Sequence, residues 1–245
     1  MSIKRNYAYA LVGNFSQLIF PLVTFPYVSR VLGPSGLGAY NSSNALVGYF
    51  MMLSAMGIQI YGQRLIAQSK NDQVKTNEYV NQLLFVNILA VVFWVMVYAS
   101  FFFFVGKVKQ DASLYFVAGF LLLFSPFSLD WYFKAVEDFK YITIRTLAIR
   151  LVLMISIFVF VRNENDALTY MTLTVVANCA PYIFNIKRMM TRIRFEFSSI
   201  SFDKIKTHFF EMVPSSIYGI LTSAYSTFPL LFLSFSTGNE NAGVF

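Results

Sequence analysis

Two arginines and one aspartate stand among apolar residues. Arg150 lies inside the run Leu147–Phe160, Arg145 precedes it, and Asp130 closes the run ending at Leu129, just before Trp131. A guanidinium at membrane depth costs at least ~2.5–3.5 kcal/mol unless it is paired or hydrated. Arg150 therefore calls for a carboxylate partner or an anionic ligand. Asp130 and Arg150 fall on consecutive antiparallel segments, so an Asp130–Arg150 pair is one expectation. Snorkelling of Arg150 to the interface is the alternative. Arg145 and Arg150 are five positions apart, and their helical faces diverge by roughly 140°. They need not share one site. The chemistry such cations offer is a positive lining that attracts a phosphate group.

A second set of residues is amide-bearing. Asn14 and Gln17 are three apart in the first apolar run, and Asn41 and Asn44 are three apart in the second. Each pair shares a helical face. Amides are costly against lipid and belong in a bundle interior or at a wet cavity. As interhelical bonds they contribute about 1 kcal/mol each. Taken together the two pairs read as a lumen wall.

Other chemistry is poorly supplied. One Cys (Cys179) rules out an intramolecular disulfide and a Cys-rich metal site. The only His (His208) rules out His-cluster zinc, and it reads as a solvated residue of a loop. There is no G-x-x-x-x-G-K-[ST], H-E-x-x-H or G-x-S-x-G. No enzyme activity, metal or cofactor is expected, and movement of a substrate would draw on a gradient or the membrane potential.

These residues need helices in lipid to position them. Of 245 residues, 57% are apolar and 13% charged, with 28 Phe. Mean hydropathy is +0.58. A soluble domain of this length cannot bury so many apolar side chains. A β-barrel would alternate polar and apolar residues, whereas here the apolar runs are continuous. The chain reads as an all-α polytopic membrane protein. About seven stretches are long enough to cross: roughly Tyr7–Val31, Tyr40–Tyr61, Tyr79–Val105, Leu114–Tyr132, Ile142–Val161, Leu168–Ile186 and Met212–Ser236. With the N-terminus in the cytoplasm, only Arg30, Lys107, Lys109 and Arg162 of the 19 basic residues fall outside, and Arg150 lies within the fifth helix. The positive-inside rule favours that orientation. The net charge of +7 is thus a topology signal, and no nucleic-acid partner is expected.

Three domains are expected. Residues 1–190 form a six-helix transmembrane lobe. Residues 191–211 form a cytoplasmic amphipathic linker, with Phe202, Ile205, Phe209 and Met212 at helical spacing. Residues 212–245 begin a second lobe. A short internal repeat supports duplication: Gly33, Gly38 and Tyr40 recur as Gly238, Gly243 and Phe245 at one constant offset. On this reading the chain is a truncated form, one lobe plus the first helix of the next. Six prolines lie in or beside apolar runs (Pro21, Pro26, Pro126, Pro181, Pro214 and Pro229), where they kink or break helices.

The run from Phe20 through Pro21, Pro26, Arg30 and Gly33-Pro34-Ser35-Gly36-Leu37-Gly38 resembles the first-helix signature of Wzx-type polysaccharide flippases, the O-antigen and capsule transporters of the MATE-like superfamily. Gly57–Arg64 resembles the end of their second helix, with Gln63 where an apolar residue is expected. Asp130–Arg145 resembles the segment joining their fourth and fifth helices. The resemblance implies two six-helix lobes around a cavity. It implies flipping of undecaprenyl-diphosphate-linked oligosaccharide across the bacterial cytoplasmic membrane for O-antigen, capsule or exopolysaccharide synthesis, among membrane lipids and other polysaccharide-assembly proteins. Asn14, Gln17, Asn41, Asn44, Asp130, Arg145 and Arg150 are the candidate cavity residues. Two alternatives stand beside it. A MATE-like small-molecule exporter would want buried carboxylates. A membrane polysaccharide polymerase or acyltransferase would want a large external loop or a deep catalytic His.

Overall fold

The structure, a computed structural model, describes residues 3–195 and 201–237. Among the described residues every element is helical: α1 (Ile3–Ala55), α2 (Ile58–Ser69), α3 (Gln73–Phe104), α4 (Gly106–Gln110), α5 (Ala112–Phe124), α6 (Asp130–Ala135), α7 (Phe139–Phe160), α8 (Ala167–Met190) and α9 (Phe202–Thr237), with 3-10 turns at Ser125–Ser128 and Glu164–Asp166. Five stretches are long and apolar enough to cross a membrane: Lys4–Ser69, Gln73–Phe104, Ala112–Ala135, Phe139–Phe160 and Glu164–Met190. The protein is an all-α, multi-pass membrane protein.

The first of these stretches contains two crossings. Gly33 leaves helical geometry at φ 62, ψ 179. The residue before a proline is pushed out of the α region, and here that proline is Pro34; only glycine takes a positive φ there without strain. The chain then doubles back, as its neighbours show. Thr143 Oγ1 donates to the Tyr9 carbonyl at 2.9 Å, Arg150 Nη1 to Ser16 Oγ at 2.9 Å and the Tyr27 hydroxyl to the Val161 carbonyl at 2.8 Å. Each pair is 134 residues apart, so residues 3–32 and α7 run parallel and in register. Beyond the corner, a Cβ on Gly36 would meet Ala167 at 3.8 Å, and Tyr40 packs on Tyr170 with ring centroids 4.4 Å apart, so residues 34–55 run along α8. Helix α8 is antiparallel to α7, since Arg188 meets Asp138 while Arg145 meets Asn185. The two limbs of α1 therefore oppose each other.

Two other expected crossings are broken. The second ends at Met56 and Gly57, both at positive φ (46° and 74°), and resumes as α2. Gly57 is required for a further reason: a Cβ there would lie 2.7 Å from Ser215 Cβ and from Ser216 N of α9. The fourth gives way at Pro126 to a 3-10 turn, then to Leu129 at φ 38, before α6 begins at Asp130. Pro126 lacks the N–H that a continuing α-helix uses.

Residues 191–211 were expected to be separate from the helix beginning at 212. Helix α9 instead runs unbroken across that boundary. Met212 is buried, Ile205 is half-buried and Phe209 is exposed; the Phe202 side chain lies outside the described residues. So does the second half of the proposed repeat, Gly238–Phe245.

The apolar interior has two centres. One, near the α1 reversal, gathers Val28, Val47, Tyr115, Leu122 and Met171. The other, at the opposite end, gathers Tyr61, Leu83, Trp131, Phe133 and Met212. Polar side chains between and around them define the site.

Candidate functional site

A cleft of about 500 Å³ opens between the first limb of α1, the α6–α7 corner, α7 and α8. Its walls include Asn14, Gln17, Asp130, Arg145 and Arg150. Five of the seven candidate residues are thus brought together. Asn41 and Asn44 are not among the lining residues; they lie on the second limb, beyond the Gly33 corner. The two amide pairs form no common wall, because the chain reversal carries them to different parts of the bundle.

The two arginines do share one cavity, contrary to their angular separation on α7. Long side chains swing far from their Cα positions, and residues 3–32 pack along α7 so that both heads reach the cleft. Their partners differ. Arg145 is 9% exposed. Its Nη2 donates to Asp130 Oδ1 at 2.9 Å, and its Nη1 donates to Asn185 Oδ1. The carboxylate expected to serve Arg150 is therefore taken by Arg145. The 3-10 turn and Leu129 set Asp130 at the start of α6, where it faces Arg145 rather than a residue deeper in α7.

Asn185 ties this pair to the backbone. It is fully buried, and its Nδ2 donates to the Ser128 carbonyl at 2.6 Å. The Tyr141 hydroxyl donates to its Oδ1 at 3.3 Å. The Tyr141 ring lies under both Arg145 and Arg188, at 5.3 and 4.4 Å from their guanidinium carbons. Arg188 and Arg192 in turn bond Asp138 Oδ2 at 2.7 and 2.9 Å. Asn185 escaped the sequence reading. The signal that finds it is the one that found Asn14, an amide set among apolar residues of a crossing helix.

Arg150 has no such belt. Its Nη1 donates to Ser16 Oγ at 2.9 Å, and the Ser16 hydroxyl donates to the Gly13 carbonyl at 2.6 Å. Among the described residues no carboxylate lies within ion-pair distance of it. It sits in the twelfth position of α7, about 16 Å along the helix from its start. The same cleft is lined by Asn14 and Gln17, both exposed, together with Thr146, Thr174 and Asn178. A half-buried cation beside amides and hydroxyls offers charge for an anion and hydrogen bonds for hydroxylated groups. Among the described residues no group of three His, Cys, Asp or Glu is placed to hold a metal.

Charged groups gather at the end of the bundle where α7 begins. Lys70 pairs with Glu137 at 2.9 Å and holds that carboxyl below its ordinary pKa. Lys204 pairs with Glu78 there. One expectation fails at this end. His208 is not solvated: it is 6% exposed and bonded on both ring nitrogens, to the Tyr61 hydroxyl at 2.7 Å and to Gln82 Oε1 at 2.8 Å. The unbroken course of α9 turns that face of the supposed linker inward against α2 and α3.

An all-α, multi-pass bundle with a polar, cationic cleft among apolar helices is the class of membrane protein that the fold and the site define. The family described as "Polysaccharide biosynthesis protein" matches residues 3–245, and the chain belongs to it. Two similar proteins are each named "Putative O-antigen transporter". The one from Escherichia coli (strain K12) is 25% identical over 166 residues, covering 68% of this chain and 40% of that protein. The one from Shigella dysenteriae is 21% identical over 242 residues, covering 97% of this chain and 59% of that protein. The chain thus matches less than two thirds of the length of either relative. No solved structure matches it.

Proposed function

We propose that this chain takes part in flipping undecaprenyl-diphosphate-linked oligosaccharide across the bacterial cytoplasmic membrane. The observation that carries the reading is Arg150, a cation at mid-helix depth in an open cleft without a carboxylate partner among the described residues. A diphosphate would supply the missing negative charge, and its oxygens accept the fork of N–H groups that a guanidinium presents. Asn14, Gln17 and Asn178 would meet sugar hydroxyls, and the apolar exterior would meet the polyprenyl tail and membrane lipids. Arg145 and Asp130 frame the cleft. The N-terminus would lie in the cytoplasm, with the Lys70, Arg188, Arg192 and Lys204 end at the inner face. Residues 1–190 would act as one lobe, with α9 opening a second. The names of the two relatives support the same reading.

A MATE-like exporter of small cations fits this cleft poorly. Among the described residues its one lining carboxylate, Asp130, is already held by Arg145.

The test is a titration of the purified chain in lipid nanodiscs with undecaprenyl diphosphate. Wild type should bind at least about tenfold more tightly than Arg150→Gln, as expected for a charge-assisted pair. Equal affinity would remove Arg150 from the headgroup site and overturn the reading.

A further inference from the structure

A row of hydrogen bonds at the other end of the molecule is one hydrogen short. It starts at Glu211 on α9, whose Oε2 meets the Tyr61 hydroxyl of α2. That hydroxyl meets His208 Nδ1 at 2.7 Å, His208 Nε2 meets Gln82 Oε1 at 2.8 Å, and Gln82 Nε2 meets Glu78 Oε1 at 3.0 Å. The row thus has four links, and each needs one hydrogen. Tyr61 carries one. The Gln82 amide, whichever way it is turned, gives to one neighbour and accepts from the other, so it supplies one. A neutral imidazole supplies one more. Both ends are carboxylates, which only accept when ionised. Three hydrogens cannot fill four links.

We propose that Glu211, Tyr61, His208, Gln82 and Glu78 form a proton-binding site that locks α9 against α2 and α3. With one added proton every link is made. Without it, two acceptors face each other across a link of hydrogen-bond length beside the buried Tyr61, Gln82 and His208, with Glu211 itself exposed, and one link goes unmade. The proton belongs to the row as a whole. Burial pushes the His208 imidazole below its ordinary pKa, against the pull of Glu211 and Glu78, while Lys204 also pushes it down. Other groups face the row. From α2, Arg64 lies 5.9 Å from the Tyr61 ring centroid. From α3, the Tyr79 ring stands edge-on to His208 at 5.9 Å. From α9, Lys204 bonds Glu78. The surrounding packing is close, since Gly57 lets α9 approach to within what a Cβ would forbid.

The sign follows from the count. The added proton completes the row only in the docked arrangement, which favours docking at low pH. Burial of His208 acts with the opposite sign, because a lowered imidazole pKa makes docking costlier as pH falls, so docking weakens with rising pH only where the completed row outweighs that burial. The proposal is independent of what the cleft carries.

One substitution separates this site from a merely structural contact. In Glu211→Gln the new amide donates to Tyr61, Tyr61 donates to Nδ1, and the remaining links are filled as before. The fourth hydrogen is then covalent. Hydrogen–deuterium exchange of residues 203–216 in the full chain, corrected for intrinsic exchange, reads the docking between pH 5 and 9. Wild type should lose protection by roughly threefold or more as pH rises, the value of one part-exposed link to a charged group less the opposing burial of His208. E211Q should keep its protection across the range. Flat protection in wild type, or a fall in E211Q matching that of wild type, would overturn the proposal.

Discussion

Arg145 and Arg150 lie five residues apart on one helix and live in different chemistry. Around Arg145 the protein supplies a counter-charge, an amide and a ring face from Asp130, Asn185 and Tyr141, with Asn185 anchored to the Ser128 carbonyl; only its buried Nε has no partner among the described residues. Around Arg150 it supplies one serine hydroxyl and an open cleft. A bundle able to build the first environment has the means to build the second, and on the proposed function the contrast separates a cation kept for the fold from one kept for cargo. Stability and binding should therefore respond oppositely at the two positions.

The largest loss of stability should come from Asp130→Ala. It leaves Arg145 buried without its counter-charge, and breaking a buried pair costs about 3–5 kcal/mol. Asp130 is itself 35% exposed, which places the expected loss near the lower end of that range. Thermal unfolding in detergent, followed by the circular dichroism of the helices, reads it. A loss below about 1 kcal/mol would mean that water already serves Arg145.

Asn185→Leu should come next. It keeps the volume and strips the bonds to Arg145, Asp130 and Ser128, for about 2 kcal/mol in the same assay. The smallest effect should belong to Arg150→Leu. Losing the Ser16 bond costs about 1 kcal/mol, and relief from holding a cation at depth offsets it. A melting point within a few degrees of wild type is expected. A fall as large as that of Asp130→Ala would make Arg150 structural and erase the contrast.

Much of the architecture was legible in the residues. Continuous apolar runs mark helices because the bilayer leaves backbone groups no other partner, and the corner at Gly33-Pro34 follows from the restrictions on both residues. The partner of each arginine was not legible. It depends on the break at Pro126–Leu129, which re-aims Asp130, and on the 134-residue register between the first limb and α7, which brings Ser16 to Arg150. A helical wheel contains neither. His208 was misplaced for a similar reason. Its polarity suggested solvent, whereas its face of α9 meets Tyr61 and Gln82, brought in from α2 and α3.

The cleft must admit water if it carries a charged headgroup. Single cysteines at Gln17 and at Leu18, in a Cys179→Ser background, test this with a membrane-impermeant thiol reagent on the chain in nanodiscs. Gln17 lines the cleft, whereas its neighbour Leu18 is 65% exposed on an apolar face. Gln17→Cys should label, should be protected by pyrophosphate, and should lose that protection in the Arg150→Gln background, while Leu18→Cys stays unlabelled. Failure of Gln17→Cys to label, with the protein folded, would show a dry cleft and contradict the account.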